Sequence, residues 1–430
     1  MECPLHRQAL RTPDQPFLLS PLRSLSFRET DLLVSRWQRF FQRQGLLPGQ
    51  KVVTLLPNSD DAAALLFACL REQLKLCPIN TRLPERRIQE QIDLLRPGLV
   101  LRELPKLGNE TATGFRVSEN APATLLFTSG SSGNPKAVSH TLANHLASAQ
   151  SAQQHAPLAP GDRWLCSLPF YHVGGLAILF RTVLAGAACV FPEQGEGGEA
   201  AVLRTRPTHV SWVPTQLHRW IESGAVHSFR RILLGGAPVS GALLRQALDL
   251  GLPVATSYGM TETASQVAST PPGEAPEGAG RLMPGVELKI GPQQEILLLG
   301  KSISAACLGS DGWLHTGDCG RLERGRLYVE GRMDLQFISG GENIQPELIE
   351  RALTALPGIQ QAVVVPCADP EFGPRPRAWV DAEITPERIR GWTDQLRREI
   401  PGYMLPVDYR RLPESNGLKP DRQALMQRGT

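Results

Sequence analysis

From about residue 29 onward the chain alternates short apolar runs with helical patterns, and this alternation constrains the fold more than any other feature. Leu33, Trp37 and Phe41 recur at helical spacing in a segment that stops at Gly45. Residues 51–56 read as a strand, 60–74 as a helix and 76–79 as a further strand. Strand-like runs return at 164–168, 187–191, 209–213, 231–234 and 253–256, each beside a helical or glycine-rich neighbour. Repeated strand–helix units bury both faces of a largely parallel sheet, so the expected class is α/β. Residues 267–330 are richer in Gly and Pro, with short runs at 286–290 and 295–299, which predicts a small β subdomain. After Gly331 a new α+β pattern begins, with a helix at 346–355, a strand at 362–366 and a helix at 386–399. The expected division is a large N-terminal domain of helix-covered sheets, residues 1–333, and a small mobile α+β domain, residues 334–430.

A chain of 430 residues has length for two or three domains. Its 45 basic and 42 acidic residues leave a net charge of +3, which gives no reason to expect a nucleic-acid or membrane-surface partner. Eight cysteines are scattered without a C-x-x-C pair or zinc-like Cys/His spacing, as reduced thiols would be. Pro4, Arg7, Pro13, Asp14 and Pro16 interrupt the region where a signal peptide needs an apolar core. The most apolar long stretch, 176–192, is broken by Arg181 and Thr182 and is too short to span a bilayer. The expectation is a soluble cytoplasmic protein, with a homo-oligomer left open.

Residues 128–136 read Thr-Ser-Gly-Ser-Ser-Gly-Asn-Pro-Lys, between an apolar strand at 124–127 and a helical pattern expected from near His140. Gly130 and Gly133 let backbone N–H groups turn toward an anion. Thr128, Ser129, Ser131 and Ser132 add hydroxyls, and Lys136 adds charge, so the loop is built to grip polyphosphate. It is not a Walker A loop, because Pro135 stands where Gly must precede the lysine. A flexible Ser/Gly linker is the plainer alternative. The preceding strand and the closing Pro-Lys count against it.

Six further stretches follow in order: Leu168-Pro-Phe-Tyr-His172, Leu234-Gly-Gly-Ala-Pro238, Ser257-Tyr-Gly-Met-Thr-Glu262, His315-Thr-Gly-Asp318, Gly331-Arg-Met-Asp334 through Gly340-Gly-Glu-Asn343, and Asn416-Gly-Leu-Lys419-Pro-Asp-Arg422. In this order and spacing they resemble the adenylate-forming superfamily of acyl-CoA synthetases, luciferases and peptide-synthetase adenylation domains. Local sequence at His145-Leu-Ala-Ser-Ala-Gln150, Val213-Pro-Thr-Gln-Leu217, Gly340-Gly-Glu-Asn-Ile-Gln-Pro346 and Val365-Pro-Cys-Ala-Asp-Pro-Glu-Phe-Gly373 resembles, within it, the o-succinylbenzoate–CoA ligases of menaquinone synthesis.

That resemblance implies two half-reactions. A carboxylate and ATP give an acyl-adenylate and pyrophosphate; the CoA thiol then displaces AMP. Lys419 is the implied cation at the carboxylate and α-phosphate; this chain has Gly-Leu-Lys where the family has Gly-Lys, yet the spacing to Arg422 is kept. Glu262 is implied to hold Mg²⁺, with Thr261 beside it on phosphate. Tyr258 and Gly259, with Gly235, Gly236 and Ala237, are implied around adenine, Asp318 on both ribose hydroxyls, and Arg332 nearby. Asp334 falls at the family's hinge, and Gly340 and Gly341 at the surface passed by the pantetheine arm of CoA. His172 matches an acyl-site position. Arg181, Ser211 and Ser265 are candidates for the second carboxylate of o-succinylbenzoate, although Arg181 reads equally well as a solvated helix residue. A CoA ligase for another aromatic or medium-chain acid is the nearest alternative. A catalytically inactive nucleotide-binding protein would have lost chemical residues, whereas Lys136, Glu262, Asp318 and Lys419 are all present.

Overall fold

The computed structural model describes residues 1–128, 136–339, 342–369, 372–413 and 421–428. A five-stranded sheet has the order Leu99–Leu101, Lys51–Thr54, Lys75–Pro78, Pro122–Thr128, Lys136–Thr141, parallel except for its last pair. A second sheet has thirteen strands. Its parallel part includes Arg163–Leu165, His209–Trp212, Arg231–Leu234 and Val254–Met260.

Helices fill the space between these sheets, and one sequence shows why. Ser59 caps Asp60–Arg71 by accepting from the Ala62 N–H, and Asp60 and Asp61 sit in the first turn, where the helix dipole favours negative charge. From Ala62 to Leu70 every side chain is buried, so the helix has no solvent face. It packs on Phe27–Arg43, which opens with a Ser26/Glu29 capping box and buries Leu33, Trp37 and Phe41. Phe67 meets Phe180 of Val173–Ala185 edge-on at 6.4 Å. The resulting core joins Val52, Leu76 and Leu126 of one sheet to Cys166, Cys189 and Leu233 beside the other. Each such large apolar side chain contributes about 1.5–3 kcal/mol on burial.

One expectation needs correction. His140 does not begin a helix: it lies in the strand Lys136–Thr141, and the helix is Leu142–His155. Val138 and His140 point inward while Ala137 and Ser139 do not, a two-residue period, and Thr141 then caps the helix in a capping box with Asn144. The β subdomain expected after residue 267 is present, and its strands continue the large sheet. Ser265–Ser269 pairs antiparallel with Val254–Met260, and the ladder continues through Arg281–Leu282, Arg326–Arg332, Leu314–Glu323 and Glu295–Gly300 to Val286–Ile290. It does keep its own core, centred on Val267, Ile296, Leu298, Leu314 and Leu327.

The C-terminal part forms around a separate cluster that includes Ile344, Ile349, Leu353, Val364, Val380, Trp392 and Leu396. Its sheet is Ala362–Asp369, Gly373–Val380 and Asp408–Arg411, beside the helices Pro346–Thr354 and Pro386–Leu396. Polar bonds tie it to the preceding strand: the Arg332 N–H donates to Glu347 at 3.1 Å, and Gln345 donates to the Arg332 carbonyl at 3.0 Å. Among the described residues no helix is long and apolar enough to cross a membrane.

Candidate nucleotide and acid site

The site gathers at the carboxyl ends of the parallel strands, where open α/β sheets leave a crevice. Arg231–Leu234 runs into Gly235 and Gly236, beside Ser257 and Tyr258 of Val254–Met260. A side chain at Gly235 would approach the Ser257 hydroxyl to 2.9 Å. At Gly259 it would meet the Ser265 carbonyl at 1.9 Å, so glycine is what lets the two antiparallel strands close at their bulge. Ala237 follows, half-buried.

Asp318 is buried at the centre of a preformed network. The Tyr258 hydroxyl donates to Oδ2 at 2.6 Å, and Arg332 Nη1 donates to Oδ1 at 3.2 Å. Arg332 also donates through Nε and Nη2 to the two oxygens of Asp334, at 3.1 and 3.2 Å. Below them Gly317 has φ +68°, donates to Glu295 Oε1 at 3.0 Å and leaves room for the Arg332 guanidinium. Burial pushes Asp318 above the usual carboxylate range, and Tyr258 and Arg332 oppose that shift. Burial and the Asp318 carboxylate push the Tyr258 phenol well above its ordinary value, so it stays a donor. Each Asp318 oxygen has one protein donor and a free lone pair, the arrangement that accepts a vicinal diol.

Thr128 and Lys136 face each other across the hairpin, and the Thr128 hydroxyl donates to the Lys136 carbonyl at 3.3 Å. Thr261 and Glu262 belong to the single turn Thr261–Thr263, which Thr263 fastens by donating to the Met260 and Ser265 carbonyls at 3.0 and 2.7 Å. Burial raises the Cys307 thiol above its ordinary value, against a hydrogen bond with Ser304, with Glu262 raising it and Lys136 lowering it by charge. No cluster of three His, Cys, Asp or Glu suited to a metal occurs among the described residues. The Glu262 carboxylate is of the hard oxygen type that Mg²⁺ prefers. Ser129, Gly130, Ser131, Ser132, Gly133, Gly340, Gly341 and Lys419 lie outside the described residues.

The acid-pocket candidates come together around a tryptophan. Arg181 is 3 % exposed; Nη2 donates to Ser265 Oγ at 3.1 Å, and its guanidinium lies 5.3 Å from the centre of the Trp164 ring. Trp164 Nε1 in turn donates to Ser211 Oγ at 3.1 Å. Arg181 is therefore not a solvated helix residue. Burial, helped by nearby Arg231, lowers it to about 10, and its Nε has no hydrogen-bond partner among the described residues. Arg231, also lowered to about 10 by burial, bonds Ser269 and Thr270. Neither guanidinium has a carboxylate partner among the described residues. Both line a small cavity with Trp164, His155, His209 and Ser269. Ala264 and Ser265 hold φ of +50° and +118°, left-handed backbone that costs about 1–3 kcal/mol per residue and aims the Ser265 hydroxyl at Arg181.

His172 stands apart. It is exposed at the N-cap of Val173–Ala185, its ring 4.7 Å from Tyr171. Nine residues of helix separate it from Arg181, about 14 Å along the axis. Trp164 and Arg231 are pocket residues that the sequence reading missed. The available signal was a charge at the head of the buried run Arg231–Leu234.

The model of the AMP-binding enzyme family matches residues 5–117 and 103–297. The 2-succinylbenzoate–CoA ligase of Salmonella typhimurium is 33% identical over 416 residues, 90% of this chain and 89% of that protein. The ligase of the same name from Listeria monocytogenes is 35% identical over 423 residues, 88% of this chain and 89% of the relative. Among solved structures, the o-succinylbenzoate CoA synthetase of Bacillus subtilis in complex with its acyl-adenylate intermediate superposes with a TM-score of 0.87 at 28% identity, covering 99% of this chain and 98% of that one. The same enzyme with ATP and magnesium ion gives 0.87 at 28% identity, covering 99% of both chains.

Proposed function

We propose a mechanism on the premise that the chain belongs to the AMP-binding enzyme family and, within it, to the 2-succinylbenzoate–CoA ligases. It is an AMP-forming acid–thiol ligase: it joins o-succinylbenzoate to CoA with ATP, through an acyl-adenylate, giving o-succinylbenzoyl-CoA, AMP and pyrophosphate. In the first step a carboxylate oxygen of the acid attacks the α-phosphorus and pyrophosphate leaves. In the second the CoA thiolate attacks the acyl carbonyl and AMP leaves.

Within that chemistry Asp318 accepts from the ribose hydroxyls, and Tyr258, whose ring is fixed by its bond to Asp318, faces adenine with Gly235, Gly236 and Ala237. Glu262 holds Mg²⁺, which supplies charge neutralisation on the phosphates when bound. Thr128, Thr261 and Lys136 donate to phosphate oxygens. Lys419 stabilises charge developing between carboxylate and α-phosphate, an effect felt more in the transition state than in the ground state. His172, exposed at its helix N-terminus, lines the acyl entrance. Residues 334–430 turn about Asp334, presenting Lys419 for the first step and Gly340 and Gly341 for the second. The separate core of this part and the Arg332–Asp334 bond at its junction support the division. We place the reaction in the cytoplasm, where ATP and CoA are available.

The observation that carries the substrate is the buried Arg181. A cation held at Ser265, three residues from Glu262, with no carboxylate of its own among the described residues, is suited to the carboxylate of a diacid that is not being activated. A pyrophosphate-release screen over carboxylic acids, with and without CoA, tests it. Activity on o-succinylbenzoate is expected well above benzoate or octanoate; a higher kcat/KM for either monocarboxylate removes the diacid assignment.

A further inference from the structure

We propose that Ser304 is a positioning residue that fastens the Glu262 turn to the strand carrying Lys136. Ser304 is 1 % exposed and uses both of its donors across this junction. Its N–H donates to the Glu262 carbonyl at 2.9 Å, and its hydroxyl donates to the Ser139 carbonyl at 2.7 Å. Ser139 lies three residues beyond Lys136 in the same strand. One residue thus bonds the backbone of the acidic turn and the backbone of the phosphate-side strand.

Ser304 is itself held in place. Asn144 Nδ2 donates to the carbonyls of Lys301 and Ile303 at 2.9 and 3.0 Å, while its Oδ1 accepts from the Thr141 N–H and hydroxyl at 2.9 Å each. The segment 301–304 is therefore anchored to the start of the helix Leu142–His155, which directly follows the Lys136 strand. The bonds within the Glu262 turn shape it but do not fix its distance from that strand.

The chemistry makes that distance matter. Mg²⁺ tolerates little departure from octahedral geometry at about 2.0–2.1 Å, so a carboxylate that shares it with a phosphate must be held at a set distance from whatever holds the phosphate. Groups that orient a metal ligand without touching the metal change its affinity by roughly 10–100-fold when removed. The inference rests on Glu262 being the magnesium carboxylate.

The test is pyrophosphate release by the full-length protein as a function of magnesium concentration at fixed ATP. Ser304→Ala should raise the half-saturating magnesium concentration on the order of 10-fold. AMP, which meets the Tyr258–Asp318 side and needs no metal, should bind Ser304→Ala as it binds wild type. Ser304→Thr keeps the hydroxyl and should titrate like wild type. An unchanged magnesium titration in Ser304→Ala overturns the proposal, as does a loss of AMP affinity as large as the magnesium shift, which would mark general structural damage. Glu262→Gln run alongside separates the two readings. If it shifts the titration and Ser304→Ala does not, Ser304 alone is misassigned; if it does not shift, Glu262 leaves the site and the proposal falls with it.

Discussion

The two ends of this site are built on opposite electrostatic plans. At the nucleotide end Asp318 has its partners already: Tyr258 and Arg332 each donate to one oxygen, and Arg332 is balanced again by Asp334. At the acid end the buried Arg181 and the half-buried Arg231 have hydroxyl, carbonyl and aromatic neighbours and no carboxylate among the described residues. A satisfied network is rigid and costs little to keep in the free protein. An uncompensated buried cation is costly, and an anionic ligand recovers that cost. On the function proposed above, the nucleotide end supplies geometry and the acid end selects charge.

In the proposed mechanism Lys419 serves the adenylation step alone, so its removal shows whether binding and chemistry separate. Lys419→Ala should slow adenylation on the order of 10²–10³-fold, about 3–4 kcal/mol, the usual loss of one transition-state donor. Thioester formation from pre-formed acyl-adenylate and CoA should be nearly normal, and both half-reactions can be followed in a quenched assay. Equal damage to both would mean that Lys419 acts through binding or stability.

Arg181→Met should sharpen the contrast next. It keeps the apolar stem and removes the charge, and losing one partner of a buried charge pair costs about 2–5 kcal/mol, so kcat/KM for o-succinylbenzoate should fall by on the order of 10²-fold or more. The KM for ATP should barely move. Asp318→Asn should do the reverse, raising the KM for ATP on the order of 10-fold, with the same factor whichever acid is supplied, since one charged hydrogen-bond acceptor is exchanged for a neutral one. A change of acid preference in Asp318→Asn would break the separation of the two ends.

The smallest effect is on stability. Burial lowers His209, in the lining of the small cavity, and His140, in the strand that carries Lys136, to about 4 from an ordinary 6.5. Between those values the unfolded chain binds more protons than the folded one, so stability is constant above about pH 6.5 and falls as pH drops toward 4. Thermal melts from pH 8 to 4 should show this slope, and His209→Gln should flatten part of it.

Much of the scaffold was legible in the sequence because parallel strands buried on both faces leave short apolar runs, as from Ile232 to Leu234 in the strand Arg231–Leu234. The strand carrying His140 was not, because six residues of two-fold period next to a good helix cap look like the helix itself. The continuity of the β region with the large sheet was hidden for another reason: it depends on one antiparallel pairing, Val254–Met260 with Ser265–Ser269, through a turn with two left-handed non-glycine residues. Asp318, Tyr258 and Glu262 were singled out by motif, and the structure adds the bond between Tyr258 and Asp318. What Arg181 does was not readable, since an arginine in an apolar helix can face water or a pocket, and only the packing of Trp164 and Ser265 around it decides.

The most direct test of the account is a double cycle that deletes each side of the proposed charge contact. Wild type and Arg181→Met are each assayed with o-succinylbenzoate and with 3-benzoylpropionate, which lacks the ring carboxylate, and four kcat/KM values give one coupling energy. The account predicts a coupling of about 2–5 kcal/mol, with Arg181→Met losing o-succinylbenzoate activity while 3-benzoylpropionate activity stays close to wild type. Additive effects, with the substitution costing both acids alike, would contradict it.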